Sequence, residues 1–480
     1  MTSWKQWWQN PNLINELIEE FGDNQTSLFL KKQFSKLENK FAFANICFPE
    51  HLQTESPPFH EELLTNLSSP ENFAGAAPRG FAKSTLMMID DCWDIVNANR
   101  HHIVRISDTY TQSLEHLMTL QFELEYNPIL RWIYGELKTE HWNQEEFVAS
   151  TDVKVVAKGA GMKIRGLKYK QYRPDKIEID DLENDEAVSN QERRVKLAWW
   201  FKMAVLPALA VNGKINFLGT ILHSDSLLAH ATSGVGEFKG WKNKIYSAID
   251  QNNQSIWPQQ WPLEKLESIR SNPEDPNYVG SLVFSQEYQN KPVNERDAIV
   301  KRSWIKYWET LPELKTKIII VDPAISKNEK ADFSAIQCWA KGIDKNDYLV
   351  EKDKNHYSFN ELGEAVRALY HRVNNRDNKK VDAIYIEITA YQAALKENDS
   401  LKDLPIRTFV PVKDKRTRLV VVSKFFEAGK VFIGSDMSSV VEEVVGFGSV
   451  AHDDECDCVT AGLHLLNNSD TITSNDYFFG

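Results

Sequence analysis

Ala77-Pro78-Arg79-Gly80-Phe81-Ala82-Lys83-Ser84-Thr85 is the stretch on which the reading of this chain turns. It has the layout of the phosphate-binding pattern G-x-x-x-x-G-K-[ST], with alanine at both glycine positions. Such a loop wraps backbone N–H groups around a triphosphate. Its lysine reaches the outer phosphates, and the hydroxyl of Ser84 or Thr85 helps hold Mg²⁺. Asn72 to Ala76 is small and apolar, and Leu86 to Val96 reads as a helix, so Lys83 falls at a strand-to-helix junction.

Downstream, Lys176-Ile177-Glu178-Ile179-Asp180-Asp181-Leu182-Glu183-Asn184-Asp185 is an apolar strand ending in acids. A carboxylate at that sheet edge can hold Mg²⁺, and a neighbouring acid can orient and deprotonate the attacking water. Asp180 is the expected Mg²⁺ residue. Asp181 or Glu183 is the base, and the sequence does not separate them. A third run, Leu218-Gly219-Thr220-Ile221-Leu222-His223, ends a strand where Thr220 can stand near the γ-phosphate.

At 480 residues the chain is too long for one core and implies two domains with a linker. No run of about 18 apolar residues predicts a membrane span, and Met1 to Asn10 lacks a signal-like pattern. Five cysteines without a CxxC pair point to a reducing compartment. The net charge of −12 argues against passive coating of nucleic acid and leaves room for carboxylates that hold metals. The expected division is a helical N-terminus plus ATPase domain over 1–255, a Pro-interrupted linker over 256–304, and a second α/β domain over 305–480.

In the first domain, strands are expected at Ile103 to Ser107, Val153 to Ala157, Ile177 to Asp180 and Ile215 to Ile221, with a helix from Glu186 to Ala210. Their alternation with helices predicts a parallel sheet. In the second, the buried run Ile318-Ile319-Ile320-Val321 ends in Asp322. Strands at Ser334 to Lys341 and Tyr348 to Lys352 follow, then a helix from Phe359, a strand over Ala383 to Ile388, a helix from Tyr391 and a strand over Ile406 to Val410. That is the order of an RNase H-like domain. A two-metal phosphodiesterase needs carboxylates converging from separate elements. Asp322 and Glu387 close two strands, and Asp453, Asp454 and Asp457 begin a helix. Asp454 and Asp457 share a face, and both are metal candidates with Asp454 preferred. Lys413, Lys415, Arg416 and Arg418 form a basic cluster suited to DNA phosphates.

The three upstream runs and the acids downstream, in this order, resemble the large terminase subunit of tailed bacteriophages over about Pro57 to Leu465. The resemblance implies an N-terminal P-loop ATPase of the ASCE type and a C-terminal RNase H-like nuclease. It implies a motor that hydrolyses ATP to drive double-stranded DNA into a procapsid and cuts concatemeric DNA. ATP and Mg²⁺ are the implied cofactors, with Mn²⁺ able to substitute in the nuclease. Portal protein and small terminase subunit are the implied partners, on a homo-oligomeric ring for which a pentamer is the family expectation. The implied location is the bacterial host cytoplasm and, transiently, the procapsid portal, with no membrane. Arg79 would stabilise phosphoryl charge in cis, and Arg105 or Arg165 would serve a neighbouring subunit. The first nuclease motif would continue to Asp332. The alternatives are a repair or recombination nuclease with an ATPase domain and a capsid-docking protein that binds ATP without turnover.

Overall fold

The apolar runs pair into two seven-stranded sheets. The computed structural model describes residues 12–292, 298–323, 333–387, 399–411, 413–448 and 454–468. One compact unit comprises Met1–Glu267 with Ser285–Pro292, and the other Ser268–Phe284 with Val293–Gly480. The stretch 256–304, read from sequence as a linker, thus contributes residues to both units.

In the first unit the strands are β1 (Phe73–Ala76), β2 (His102–Ser107), β3 (Glu146–Val148), β4 (Lys154–Gly159), β5 (Lys176–Asp180), β6 (Lys214–Gly219) and β7 (Lys242–Ile245). Their spatial order is β3-β4-β2-β5-β6-β1-β7. Every pairing is parallel except β3 with β4. This is the parallel α/β sheet the alternation predicted. Because β6 lies between β1 and β5, the phosphate loop, Thr220 and Asp180 all emerge at the same edge.

Side chains alternate across a strand, and β5 uses both faces. Ile177 and Ile179 join a core with Phe201, Val205 and Phe217. Lys176, Glu178 and Asp180 take the other face, and all three are buried. The expected helix from Glu186 to Ala210 is broken into Asp185–Ser189, Gln191–Trp200 and a π-helical turn over Phe201–Val205. Asn190 interrupts it, because its side chain accepts from Arg193 N at 3.1 Å and caps the second piece.

The second unit holds β8 (Lys306–Trp308), β9 (Leu314–Asp322), β10 (Ser334–Gly342), β11 (Asp347–Asn355), β12 (Ala383–Glu387), β13 (Ile406–Phe409) and β14 (Val431–Gly434). The order is β13-β12-β9-β10-β11-β14-β8. The β9–β10–β11 meander is antiparallel, and β12 and β13 add in parallel beside β9. That is the expected RNase H-like arrangement, extended past β11 by β14 and β8.

The helix Phe359–Arg376 covers one face through Leu362, Val366, Leu369 and Val373. Lys415–Glu427, Ser438–Val445 and Asp454–Asn467 contribute to the core on the other. The last helix lies close on the sheet because Gly462 has no side chain. A Cβ there would stand 2.5 Å from the Trp339 ring. Gln337 Nε2 also donates to Glu455 O at 3.0 Å, anchoring the helix start over β10. The helix expected from Tyr391, together with Asp332 and Asp453, lies outside the described residues. No described helix is long and apolar enough to cross a membrane.

Candidate active sites

The phosphate loop runs from β1 into the helix Lys83–Val96. Its two turning residues have left-handed backbones, with φ of 75° at Gly80 and 62° at Ala82. The second is the position where the usual pattern places glycine, and here an alanine bears the strain. Lys83 is buried, and its Nζ donates to Ala77 O at 3.1 Å, Pro78 O at 3.2 Å and Thr220 Oγ1 at 3.0 Å. These acceptors hold the ammonium in the concavity of the loop.

Residues from the expected linker brace this loop. Phe81 stacks on Trp261 with centroids 5.6 Å apart, and Trp261 Nε1 donates to Gly80 O at 3.2 Å. Arg79 N donates to Glu287 O at 2.9 Å, and Ile221 N to Asn290 Oδ1 at 3.0 Å. Arg79 itself is exposed at the loop tip, 4.0 Å from Glu287.

Asp180 closes β5 and is buried, yet neither carboxylate oxygen accepts a hydrogen bond among the described residues. His116 Nδ1 stands 3.4 Å from Oδ2, and burial lowers the His116 pKa, favouring its neutral form. Ser84, Thr85, Arg105 and His116 line an adjacent cavity. A buried carboxylate with unused lone pairs suits a hard divalent cation.

Asp181 has φ of 45°, and its Oδ1 accepts from Thr220 N at 3.2 Å. Burial raises its pKa, while the Lys83 charge opposes the rise. Glu183 is differently occupied. Its two oxygens accept from Leu227 N at 2.8 Å and Leu228 N at 2.9 Å, which caps the helix Leu227–Ser233. Burial raises the Glu183 pKa as well.

Behind the loop lies a charge cluster that the sequence reading did not pick out. Lys176 Nζ is enclosed by Asp91 at 2.8 Å, Asp94 at 2.8 Å and Glu178 at 2.9 Å, with Asp90 closer still. Asp90 also pairs with Lys40, and Asp91 with Arg105. Asp90, Asp91 and Glu178 come close enough together to ligate one ion, but Lys176, Lys40 and Arg105 already pair with them. The sequence signal was there: three aspartates in the apolar helix Met87-Met88-Ile89-Asp90-Asp91-Cys92-Trp93-Asp94, opposite a Lys-x-Glu strand. Arg105, expected to serve a neighbour, is 2% exposed and committed to Asp91, so it is a structural cation. Arg165 is exposed and lines a surface pocket with Lys168 and Arg173.

In the second unit, β12 runs parallel to β9 with Ile386 paired to Val321. Glu387 and Asp322 therefore finish adjacent strands one step further on. The first turns of the helix Asp454–Asn467 lie over β9 and β10, where Cys458 Sγ stands 3.4 Å from Ala335 O and 4.0 Å from Ile320 O. Asp454 and Asp457 are both buried. Burial pushes the Asp322 pKa well up, and Glu387, Asp457 and Asp454 add to it in that order, with Lys415 opposing. Burial likewise raises Glu387, where Arg418 opposes, Asp457 adds and Lys415 opposes. Crowded carboxylates in a buried pocket suit divalent metal, which would neutralise them.

Asp457 bears on both strand acids, whereas Asp454 bears on Asp322 and has Lys354 Nζ at 3.3 Å. The basic cluster divides. Arg418, expected on a DNA phosphate, is 3% exposed and donates through Nη2 to Asp457 Oδ1 at 2.7 Å. Lys415 Nζ is 2.7 Å from Asp457 Oδ2. Lys413 and Arg416 are half-buried.

Residues 319–468 match the model of the terminase RNaseH-like domain. The fold resembles that of the large terminase of a thermophilic bacteriophage, at 10% identity and a TM-score of 0.54, over 86% of this chain and 99% of that one. The same terminase in complex with ADP aligns at 11% identity and a TM-score of 0.53, over 87% of this chain and 100% of that one. Its complex with ATP-γ-S gives 11% identity and a TM-score of 0.51, over 86% and 98%. No curated protein matches the sequence. The resemblance read from the sequence is borne out in the match to the nuclease region and in the fold.

Proposed function

We propose, from the premise that this chain has the fold of the large terminase subunit, that it is the motor of viral DNA packaging. It hydrolyses ATP to drive double-stranded DNA into a procapsid and cleaves concatemeric DNA. One observation carries the reading. The region matched to the terminase RNaseH-like domain brings Asp322, Glu387 and Asp457 together, on a chain that also holds Lys83, Asp180 and Asp181 around one loop.

In the ATPase half, the loop 77–85 receives the phosphates, and Lys83 exchanges its carbonyl acceptors for phosphate oxygens. Asp180 and Ser84 would hold Mg²⁺, which would offset the charge of the phosphates. Asp181 is the base. Its strained backbone and its bond to Thr220 N fix the carboxylate beside Lys83, and its raised pKa favours taking a proton from water. Glu183 positions the helix after Thr220 and is spent on that task. Arg79, exposed on the loop, is the cis arginine.

In the nuclease half, Asp322, Glu387 and Asp457 are the metal ligands, with Asp454 the further candidate. Mg²⁺ or Mn²⁺ bound there would activate water and stabilise the leaving oxygen. Lys413 and Arg416 are left to orient the duplex. A portal protein, a small terminase subunit and a ring of copies, with a pentamer expected, complete the assembly in the host cytoplasm at the procapsid. The complexes of the thermophilic bacteriophage terminase with ADP and ATP-γ-S support a nucleotide at the loop.

Plasmid digestion with Mn²⁺ tests the reading. The parent protein should cut and Asp322→Ala should not; equal cutting would remove the nuclease assignment.

A further inference from the structure

Two cations close on one acid in the nuclease centre. Lys415 Nζ lies 2.7 Å from Asp457 Oδ2, and Arg418 Nη2 donates to Oδ1 at 2.7 Å. Both start the helix Lys415–Glu427, which Asp414 caps. Asp414 Oδ1 accepts from Thr417 N at 3.0 Å, and Oδ2 from Thr417 Oγ1 at 2.6 Å. Residues three apart share a helix face, so the cap directs both cations at the same carboxylate.

The two cations differ in freedom. Arg418 is 3% exposed, and its Nε and Nη1 find no partner among the described residues. A buried guanidinium is always charged and rigid. The Lys415 side chain is 44% exposed. An ammonium on a flexible four-carbon stem with water at hand can leave its partner and return.

Asp322, Glu387, Asp454 and Asp457 would repel one another unless neutralised. Lys415 acts on both Asp322 and Glu387, and Arg418 acts on Glu387. The protein therefore supplies part of the charge that metal would bring.

We propose that Lys415 is an exchangeable counter-ion of the nuclease centre, holding the Asp457 oxygen that a divalent ion needs, while Arg418 keeps the other oxygen fixed as a positioning residue. The proposal rests on the nuclease reading above. An ion binding between Asp322 and Glu387 leaves the ammonium in place. An ion that uses Asp457 must displace the ammonium, which can then meet a phosphate oxygen of DNA. Metal loading and DNA binding would thus favour each other, and the centre would hold its second ion poorly without DNA.

The test is calorimetric titration of the full chain with Mn²⁺ in the absence of DNA, comparing parent, Lys415→Met, Lys415→Gln and Asp322→Asn. Both Lys415 variants should bind the weaker ion roughly tenfold tighter, as expected for removing a competing charge next to the ion. Their Tm in chelator should fall, and Mn²⁺ should restore it by more than in the parent. A lower Tm with parental Mn²⁺ affinity would mean that Lys415 is only a structural pair, and the proposal would fail alone. If the parent binds no Mn²⁺, or Asp322→Asn binds it like the parent, the nuclease reading and this proposal fail together.

Discussion

Lys83 Nζ and Thr220 Oγ1 are 3.0 Å apart, a side-chain hydrogen bond that joins the phosphate loop to the end of β6. Thr220 N is in turn bonded to Asp181 at 3.2 Å. Phosphate entering the loop must compete for the lysine, so Thr220 feels its arrival and touches the proposed base. Thr220→Val should leave nucleotide binding near parental and lower DNA-stimulated turnover by roughly tenfold, the worth of a hydrogen bond to a charged group. Binding by fluorescent nucleotide and turnover by phosphate release separate the two. Unchanged turnover would remove Thr220 from the coupling path.

Asp181 and Glu183 separate by the same reasoning. Asp181→Asn keeps the acceptor for Thr220 N and loses the base, so turnover should fall by about 100-fold or more. Glu183→Ala removes the acceptor of Leu227 N and Leu228 N, leaving Ser226 to cap the helix Leu227–Ser233, and should cost about 1–2 kcal/mol of stability. Its turnover, measured well below its Tm, should stay within a few-fold of parental. The reverse pattern would make Glu183 the base.

The buried cluster around Lys176 should be sensitive to both mutation and pH. Lys176→Met leaves Asp91, Asp94 and Glu178 without their shared cation and should destabilise the first unit by about 3–5 kcal/mol in urea unfolding. Burial pushes the Glu178 pKa up to about 8, even with Lys176 at 2.9 Å. The folded state therefore keeps a proton that the unfolded chain has lost. That stability is whole below the ordinary carboxylate pKa and is lost as pH rises through about 8. Lys214 runs the other way. Burial lowers it to about 8, so from there upward the folded state sheds its proton first and stability recovers. Unfolding midpoints should fall from about pH 5 to about pH 8 and then turn upward. A flat profile would contradict this.

Ala82 bears the left-handed backbone with φ of 62°. An L-residue pays roughly 1–2 kcal/mol there, and glycine gives back about half of the relief through its freer unfolded chain. Ala82→Gly should raise stability by about 0.5–1 kcal/mol in denaturant unfolding without abolishing ATP turnover. Destabilisation would show that the alanine methyl packs usefully.

The order of strands and the acids that end them were legible because each is a local pattern. Ile318 to Asp322 reads as a buried strand with a carboxylate at its edge, and it folds as one. Pairings made by long-range contact were not legible. Arg418 reads as a surface cation in a basic run, but the cap at Asp414 and the packing of the helix Asp454–Asn467 turn it inward to Asp457. Trp261 and Glu287 looked like parts of a linker, because nothing near them in sequence shows that they brace the phosphate loop. Glu183 resembled a catalytic acid until its two backbone partners, more than 40 residues away, came into view.

DNA-stimulated ATP hydrolysis by the purified full chain, compared with Lys83→Ala, tests the motor most directly. The account predicts turnover that rises with double-stranded DNA in the parent and is lost in the variant. Equal turnover in the two proteins, or none in the parent with DNA and Mg²⁺ present, would contradict it.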